Sequence, residues 1–200
     1  MPRVLCRRQL QDIIDFAKKK SKTNDFNHNI SHIELTAKIA GALAKYEKAD
    51  AQICAAAAYL HDIGRAKAKG KHGARGAKIA RAFLKKMRLP VGFIHAVCYA
   101  IAEHDRGAAK STKEAAVLWD ADKLQSIGPL GFMRIFAHHL LYDTRDIFLA
   151  KGLTKDRHNF FYQRFQTSTA RALAKKLHSF MDEFYYLMNA VKSARLKKIL

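Results

Sequence analysis

The feature that most limits what this chain can fold into is an apolar run that ends in charge. Residues 53–60 read ICAAAAYL, and His61-Asp62 follows at once. The run is too short to cross a bilayer, which takes about 20 apolar residues. Its alanines favour helix. It therefore predicts a central helix over Ala51–His61, with Asp50 as its N-cap. That helix delivers a histidine and a carboxylate to a buried end. Gly64, two residues on, lets the chain turn sharply, so both side chains can point into one cavity.

The rest of the chain reads as helix after helix. Valine occurs five times and proline three, while alanine and leucine are abundant; that balance disfavours sheet. The patterning predicts helices over Arg7–Lys20, His32–Glu47 (N-cap Ser31, with Ile33, Ala37, Ala40 and Ala44 on one face), Gly73–Met87, Val91–His104, Thr112–Ile127 and Phe132–Tyr142. Gly128, Pro129 and Gly131 read as punctuation, and one or two long helices follow from Lys155. No repeat or low-complexity linker interrupts the chain. A length of 200 residues suits one domain spanning 1–200. Its 49% hydrophobic content supports a substantial core. The C-terminal third, with Phe180, Phe184, Tyr185, Tyr186 and Met188, either completes that core or forms a dimer surface.

The formal charge of +20 attracts anions without choosing among nucleotides, nucleic acid and acidic lipid. No acidic residue lies between Asp62 and Glu103. Within that stretch Lys78, Arg81, Lys85 and Arg88 form one helical stripe, opposite Ala80, Phe83, Leu84 and Met87. Such a face steers anionic substrates or binds a polynucleotide backbone. The basic N-terminal segment around Arg3, the loop between Gly64 and Gly70, and the C-terminal run SARLKKIL add to the field. Cys6, Cys54 and Cys98 are odd in number, widely spaced and free of any CxxC motif, so the expected compartment is the cytoplasm. The N-terminus makes a poor signal peptide, and no membrane span is expected.

The histidines and aspartates give a candidate metal site. His32, His61, Asp62, His72, His104 and Asp122 supply nitrogen and oxygen donors of the kind divalent first-row ions accept. His104 continues the inward stripe Ile94, Val97, Ile101, where an imidazole needs a partner. Asp120 and Asp122 differ by about 200° in direction on a helix. Asp122 shares its stripe with Ala115 and Leu118, so it is the expected ligand, and Asp120 a supporting or surface group. His95, His138, His139, His158 and His178 are expected to be structural.

In order, His32, His61-Asp62 and Asp122 match the H…HD…D signature, and the chain resembles the HD superfamily of metal-dependent phosphohydrolases. The strings LHDIG, HGARGAKIA and DADKLQSIGPLGFMRIF carry the likeness over about residues 24–136, with the last similar to a stretch of small stand-alone HD proteins. The resemblance implies an all-α HD-type helical bundle, the helices of 137–200 packed on it. It implies metal ligation by His32, His61, Asp62 and Asp122, with His72 and His104 at the positions that hold a second ion in two-metal members. The cofactor expected is Mn, Mg, Co, Ni or Fe, as one ion or two. The expected activity is hydrolysis of a nucleotide or related phosphate ester by attack of a metal-bound water. Asp62, His72 and His104 would be the catalytic groups, and Arg65 and Lys123 the phosphate contacts. Leu35 stands where many members carry arginine, and Gln125 where many carry aspartate. The alternative is an HD-fold protein that binds nucleic acid or a nucleotide signal through its basic face, without catalysis.

Overall fold

The computed structural model describes residues 4–22, 24–65, 72–106 and 109–194. Among these the regular structure is helical, and no strand occurs. The basic residues Arg3, Lys67, Lys69 and Lys71, with most of the C-terminal SARLKKIL run, lie outside the described residues. The helices are α1 (Arg7–Ser21), α2 (Ile30–Glu47), α3 (Ala51–Leu60), α4 (His72–Lys86), α5 (Val91–Glu103), α6 (Lys113–Lys123), α7 (Gly128–Tyr142), α8 (Ile147–Tyr162) and α9 (Ser168–Lys192). A 3-10 turn over Leu124–Ser126 follows α6. No described helix is long and apolar enough to cross a membrane. The contacts divide the chain into two compact units. One is Met1–Asp122 with Gln166–Thr169; the other is Lys123–Phe165 with Ala170–Leu200.

In the first unit α3 is the axis. It packs against α1, α2 and α5, and α4 packs on α5. Ala56, Ala57 and Ala58 are all fully buried, while Ala55 and Tyr59 mark a partly exposed face of α3. Alanine there keeps the helix thin, which lets α1, α2 and α5 pack close to it. Asp50 caps α3 as expected, its carboxylate accepting from Gln52 and Ile53 N–H. Its own N–H donates to Glu114 of α6. The stripe on α4 follows the expected pattern only in part, because Arg81 is half-buried and Met87 and Arg88 lie beyond the helix, Arg88 with φ +55°. Ala80 and Leu84 are buried, Phe83 stacks on Phe16 of α1, and Lys78, Lys85 and Arg88 are exposed.

Helix starts account for most departures from the expected boundaries. Asn29, not Ser31, caps α2, because its carboxamide accepts the His32 N–H at 3.3 Å and leaves Ser31 inside the first turn. The Gly128-Pro129 pair begins α7 instead of merely breaking the chain. Proline suits the first helical turn, where no N–H is needed. Gly128 adopts φ +66°, with the Leu177 side chain packed where a Cβ would sit. Asp146 caps α8 through Phe148 and Leu149 N–H, so that helix starts eight residues before Lys155.

The second unit packs α7, α8 and α9 around Phe132, which meets Phe184 and Tyr185 of α9. Its polar centre is a hydrogen-bond chain. Gly128 N–H donates to His158 Nδ1 at 3.4 Å. That leaves His158 Nε2 to donate to His178 Nδ1 at 3.0 Å, and His178 Nε2 then faces Asp182 at 3.4 Å. These histidines have hydrogen-bond partners within the unit, and so does His139, which pairs with Asp143. Burial first, then the His178 charge, pushes His158 down to about 4. The folded chain therefore binds fewer protons here than the unfolded chain, whose histidine titrates near 6.5. The stability from neutral His158 is complete above pH 6.5 and is lost progressively as pH falls toward 4. In urea denaturation, the stability gap between wild type and His158→Gln should narrow from pH 7.5 to pH 4.5; an unchanged gap would contradict this account.

Candidate metal centre

The end of α3 and the end of α5 are built alike. His61 follows α3, and its Nδ1 donates to the Ala58 carbonyl at 2.7 Å. His104 follows α5, and its Nδ1 donates to the Ile101 carbonyl at 2.6 Å. Each imidazole satisfies a last-turn carbonyl that has no helical partner. The same bond fixes the tautomer, so each ring turns Nε2 inward. The two rings stand 5.0 Å apart, nearly perpendicular. α2 brings His32 to the same place from its first turn, with Nε2 3.3 Å from His61 Nε2. α4 brings His72 from its first residue, with Nε2 3.1 Å from His104 Nε2.

Asp62 lies at the middle, 1% exposed. Its two oxygens face different neighbours. Oδ2 lies 3.4 Å from His61 Nε2 and 3.8 Å from His32 Nε2. Oδ1 lies 3.4 Å from His72 Nε2 and 3.6 Å from His104 Nε2. Asp122 comes in from α6 with Oδ1 3.3 Å from His32 Nε2. Three overlapping triads thus offer converging donors within 4.8 Å: His32, His61, Asp62; His61, His104, Asp122; and Asp62, His72, His104. All six residues expected to form the centre are brought together in the first unit.

Asp120 and Asp122 divide as the stripe predicts, but Asp120 is no surface group. It is fully buried, and its carboxylate accepts the N–H groups of Gln166 and Thr167 just before α9. Gln125 is also buried, and Arg134 donates to both its backbone and side-chain oxygens. The Lys123 ammonium lies 5.5 Å from the centroid of the Phe161 ring within the second unit.

The approach of α4 to the His61-Asp62 turn depends on missing side chains. A Cβ on Gly64 would run into the His72 carbonyl and the Gly76 nitrogen, which are backbone atoms with nowhere to go. A Cβ on Gly76 would press on the His61 carbonyl at 3.1 Å. Arg75 closes the contact by donating to the Gly64 carbonyl.

Three residues at the centre escaped the sequence reading. Asp105 accepts the Gly73 N–H at 3.0 Å and stands 3.5 Å from His72 Nδ1, which orients that ring. It follows His104 as Asp62 follows His61, so a second His-Asp pair was the available signal. Asp25 and His28 pair across one turn, with 2.7 Å between Oδ1 and Nδ1. The His28 ring meets that of His32 edge-on.

The electrostatics suit a cation. Burial pushes Asp62 up, but the imidazoles of His61 and His104 outweigh it and hold the carboxyl well below the usual range. Burial likewise lowers His61, yet Asp62 and Asp122 raise it overall. Burial and the His104 charge push His72 down to about 4, so at neutral pH it is an uncharged donor. Despite these neighbours, Asp62 Oδ2 is buried and accepts no hydrogen bond. A buried carboxylate oxygen with no donor is costly, and a divalent ion among imidazole nitrogens removes that cost. The donor set therefore fits a first-row divalent metal.

Gly64→Ala should lower stability by about 1–3 kcal/mol, whereas Gly41→Ala in α2, where a Cβ meets nothing within 4 Å, should be neutral or stabilising by up to about 1 kcal/mol. Urea midpoints of the two variants check this, and equal effects would contradict it.

The HD-domain family model matches residues 29–127. Solved structures resemble the chain over nearly its whole length. A predicted HD superfamily hydrolase from an uncultured Thermotogales bacterium is 29% identical, covers 92% of this chain and 91% of its own, and superposes with a TM-score of 0.68. An HD-superfamily hydrolase from Bacillus thuringiensis is 23% identical, with 94% and 98% covered and a TM-score of 0.75. Bacillus subtilis YpgQ in complex with ADP is 23% identical, with 90% and 96% covered and a TM-score of 0.70. No curated protein matches the chain significantly.

Proposed function

This chain is a small HD-domain protein with the fold of the HD-superfamily hydrolases, and from that premise we propose that it is a divalent-metal-dependent phosphohydrolase acting on a nucleotide or related phosphate ester. The observation that carries the reading is the buried Asp62 oxygen that accepts no hydrogen bond, set among imidazole nitrogens. His32, His61, Asp62 and Asp122 would hold the ion. When bound, such an ion lowers the pKa of a coordinated water toward about 7 and neutralises charge on a phosphoryl oxygen.

The chain's own groups supply the remainder. Asp62 orients the attacking water. His72 and His104 meet the phosphate or exchange a proton with the leaving group through Nε2. Arg65, whose guanidinium stands 3.6 Å from Asp62 Oδ1, offers a planar fork to a phosphoryl oxygen. The exposed Lys78 and Lys85 of α4, with Arg88 just beyond it, raise the local concentration of anionic substrate. A nucleotide as substrate class is supported by the ADP in the complex of Bacillus subtilis YpgQ, a neighbour in fold.

Metal-stripped protein should show no turnover on a panel of nucleotides and phosphodiesters. Turnover should return with manganese, magnesium, cobalt or nickel and fall at least about a thousandfold in Asp62→Ala. Well-folded, metal-replete protein that turns over none of the panel would contradict the enzyme reading. Salt-sensitive binding of nucleic acid, or saturable nucleotide binding without product, would then identify the non-catalytic alternative.

A further inference from the structure

The two sides of Asp62 are not equivalent, and Arg65 makes the difference. Arg65 Nη1 lies 3.1 Å from His72 Nε2 and 3.6 Å from Asp62 Oδ1. His104 Nε2 is 3.6 Å from the same Asp62 oxygen. The guanidinium thus stands against the donors of the triad Asp62, His72, His104, where a second divalent ion would have to bind. On the opposite side, Asp62 Oδ2 faces His32 and His61 and accepts no hydrogen bond. Oδ1 has a guanidinium beside it, and Oδ2 has only the imidazoles of His32 and His61.

Arg65 is also held from behind. Its Nε is 4.0 Å from Asp25 Oδ2, and Asp25 Oδ1 is bound to His28. The Arg65 N–H donates to the Asp62 carbonyl at 3.0 Å, so the backbone of the turn fixes where the side chain begins. Guanidinium does not lose its proton in proteins. The guanidinium cation repels a dication brought to the same donors.

We propose that Arg65 is a built-in second cation: the centre takes a single divalent ion on the His32, His61, Asp62, Asp122 side, and the guanidinium keeps the His72, His104 side closed to another. This rests on the reading of the cluster as a metal centre and goes further, because it fixes the ion count and names the residue that sets it. Arg65 would then be the anion clamp for a phosphate at the centre, its planar fork in place of a second ion. His72 and His104 stay free of metal for contact with substrate. Asp25 is a positioning residue that acts through Arg65.

The test is the stoichiometry of manganese alone on the metal-stripped full chain, by calorimetric titration with native mass spectrometry. Wild type should bind one ion. Arg65→Met, which keeps the stem and removes the charge, should bind two. Arg65→Lys, which keeps a cation, should remain at one. Circular dichroism checks that each variant is folded. If Arg65→Met does not fold, Asp25→Asn carries the test and should admit a second, weaker ion. Two ions on wild type would overturn this proposal and leave the metal-dependent reading standing. One ion on folded Arg65→Met, or on Asp25→Asn where Arg65→Met does not fold, would overturn it as well. No ion on wild type would overturn both.

Discussion

A single carboxylate sets the terms for this protein. Asp62 is buried within reach of four imidazoles, and one of its oxygens accepts no hydrogen bond. Burying an ionised group without compensation costs several kcal/mol. That cost is tolerated only where the surroundings supply positive charge. The surroundings supply it on one side as the Arg65 guanidinium, 3.6 Å from Oδ1, and on the other His32 and His61 turn ring nitrogens toward Oδ2 in an arrangement that could hold an ion. The four helices α2, α3, α4 and α5 each contribute a histidine to that environment from an end, where side chains have freedom that a packed helix middle denies them.

Holding four helix ends together needs close approach, and the sequence achieves it by omission. Three fully buried alanines keep α3 thin. Gly64 and Gly76 let α4 touch the His61-Asp62 turn backbone to backbone. The inward histidines after α3 and α5 do two jobs with one ring: Nδ1 satisfies a helix-end carbonyl, and Nε2 is thereby left as a donor to the centre. The packing of these helix ends and the inward aim of the ring nitrogens are consequently the same interactions, and a change that loosens one loosens the other.

Much of this was legible in residues alone, for identifiable reasons. Long periodic segments of good helix formers have one solution, which is why α1, α3, α4 and α5 fall within a residue or two of their expected bounds. The inward stripe through Ile94, Val97 and Ile101 placed His104 correctly, and the 200° argument separated Asp122 from Asp120. Starts governed by local capping were harder. Asn29 and Asp146 win their caps through side-chain geometry that competing polar neighbours could also have offered. Asp25, His28 and Asp105 were missed because their roles depend on how a loop and two helix ends meet. No periodicity encodes that, although the repeated His-Asp pair at 104–105 was a visible clue. Asp120 was misjudged in part because its partners, the N–H groups of Gln166 and Thr167, lie far along the chain.

The central claim is that the Asp62 cluster binds a divalent cation, and it is tested most directly by anomalous diffraction from crystals grown with manganese. The account predicts an anomalous peak enclosed by His32, His61, Asp62 and Asp122. A peak elsewhere, or none in a crystal whose cluster keeps the present arrangement, would contradict it.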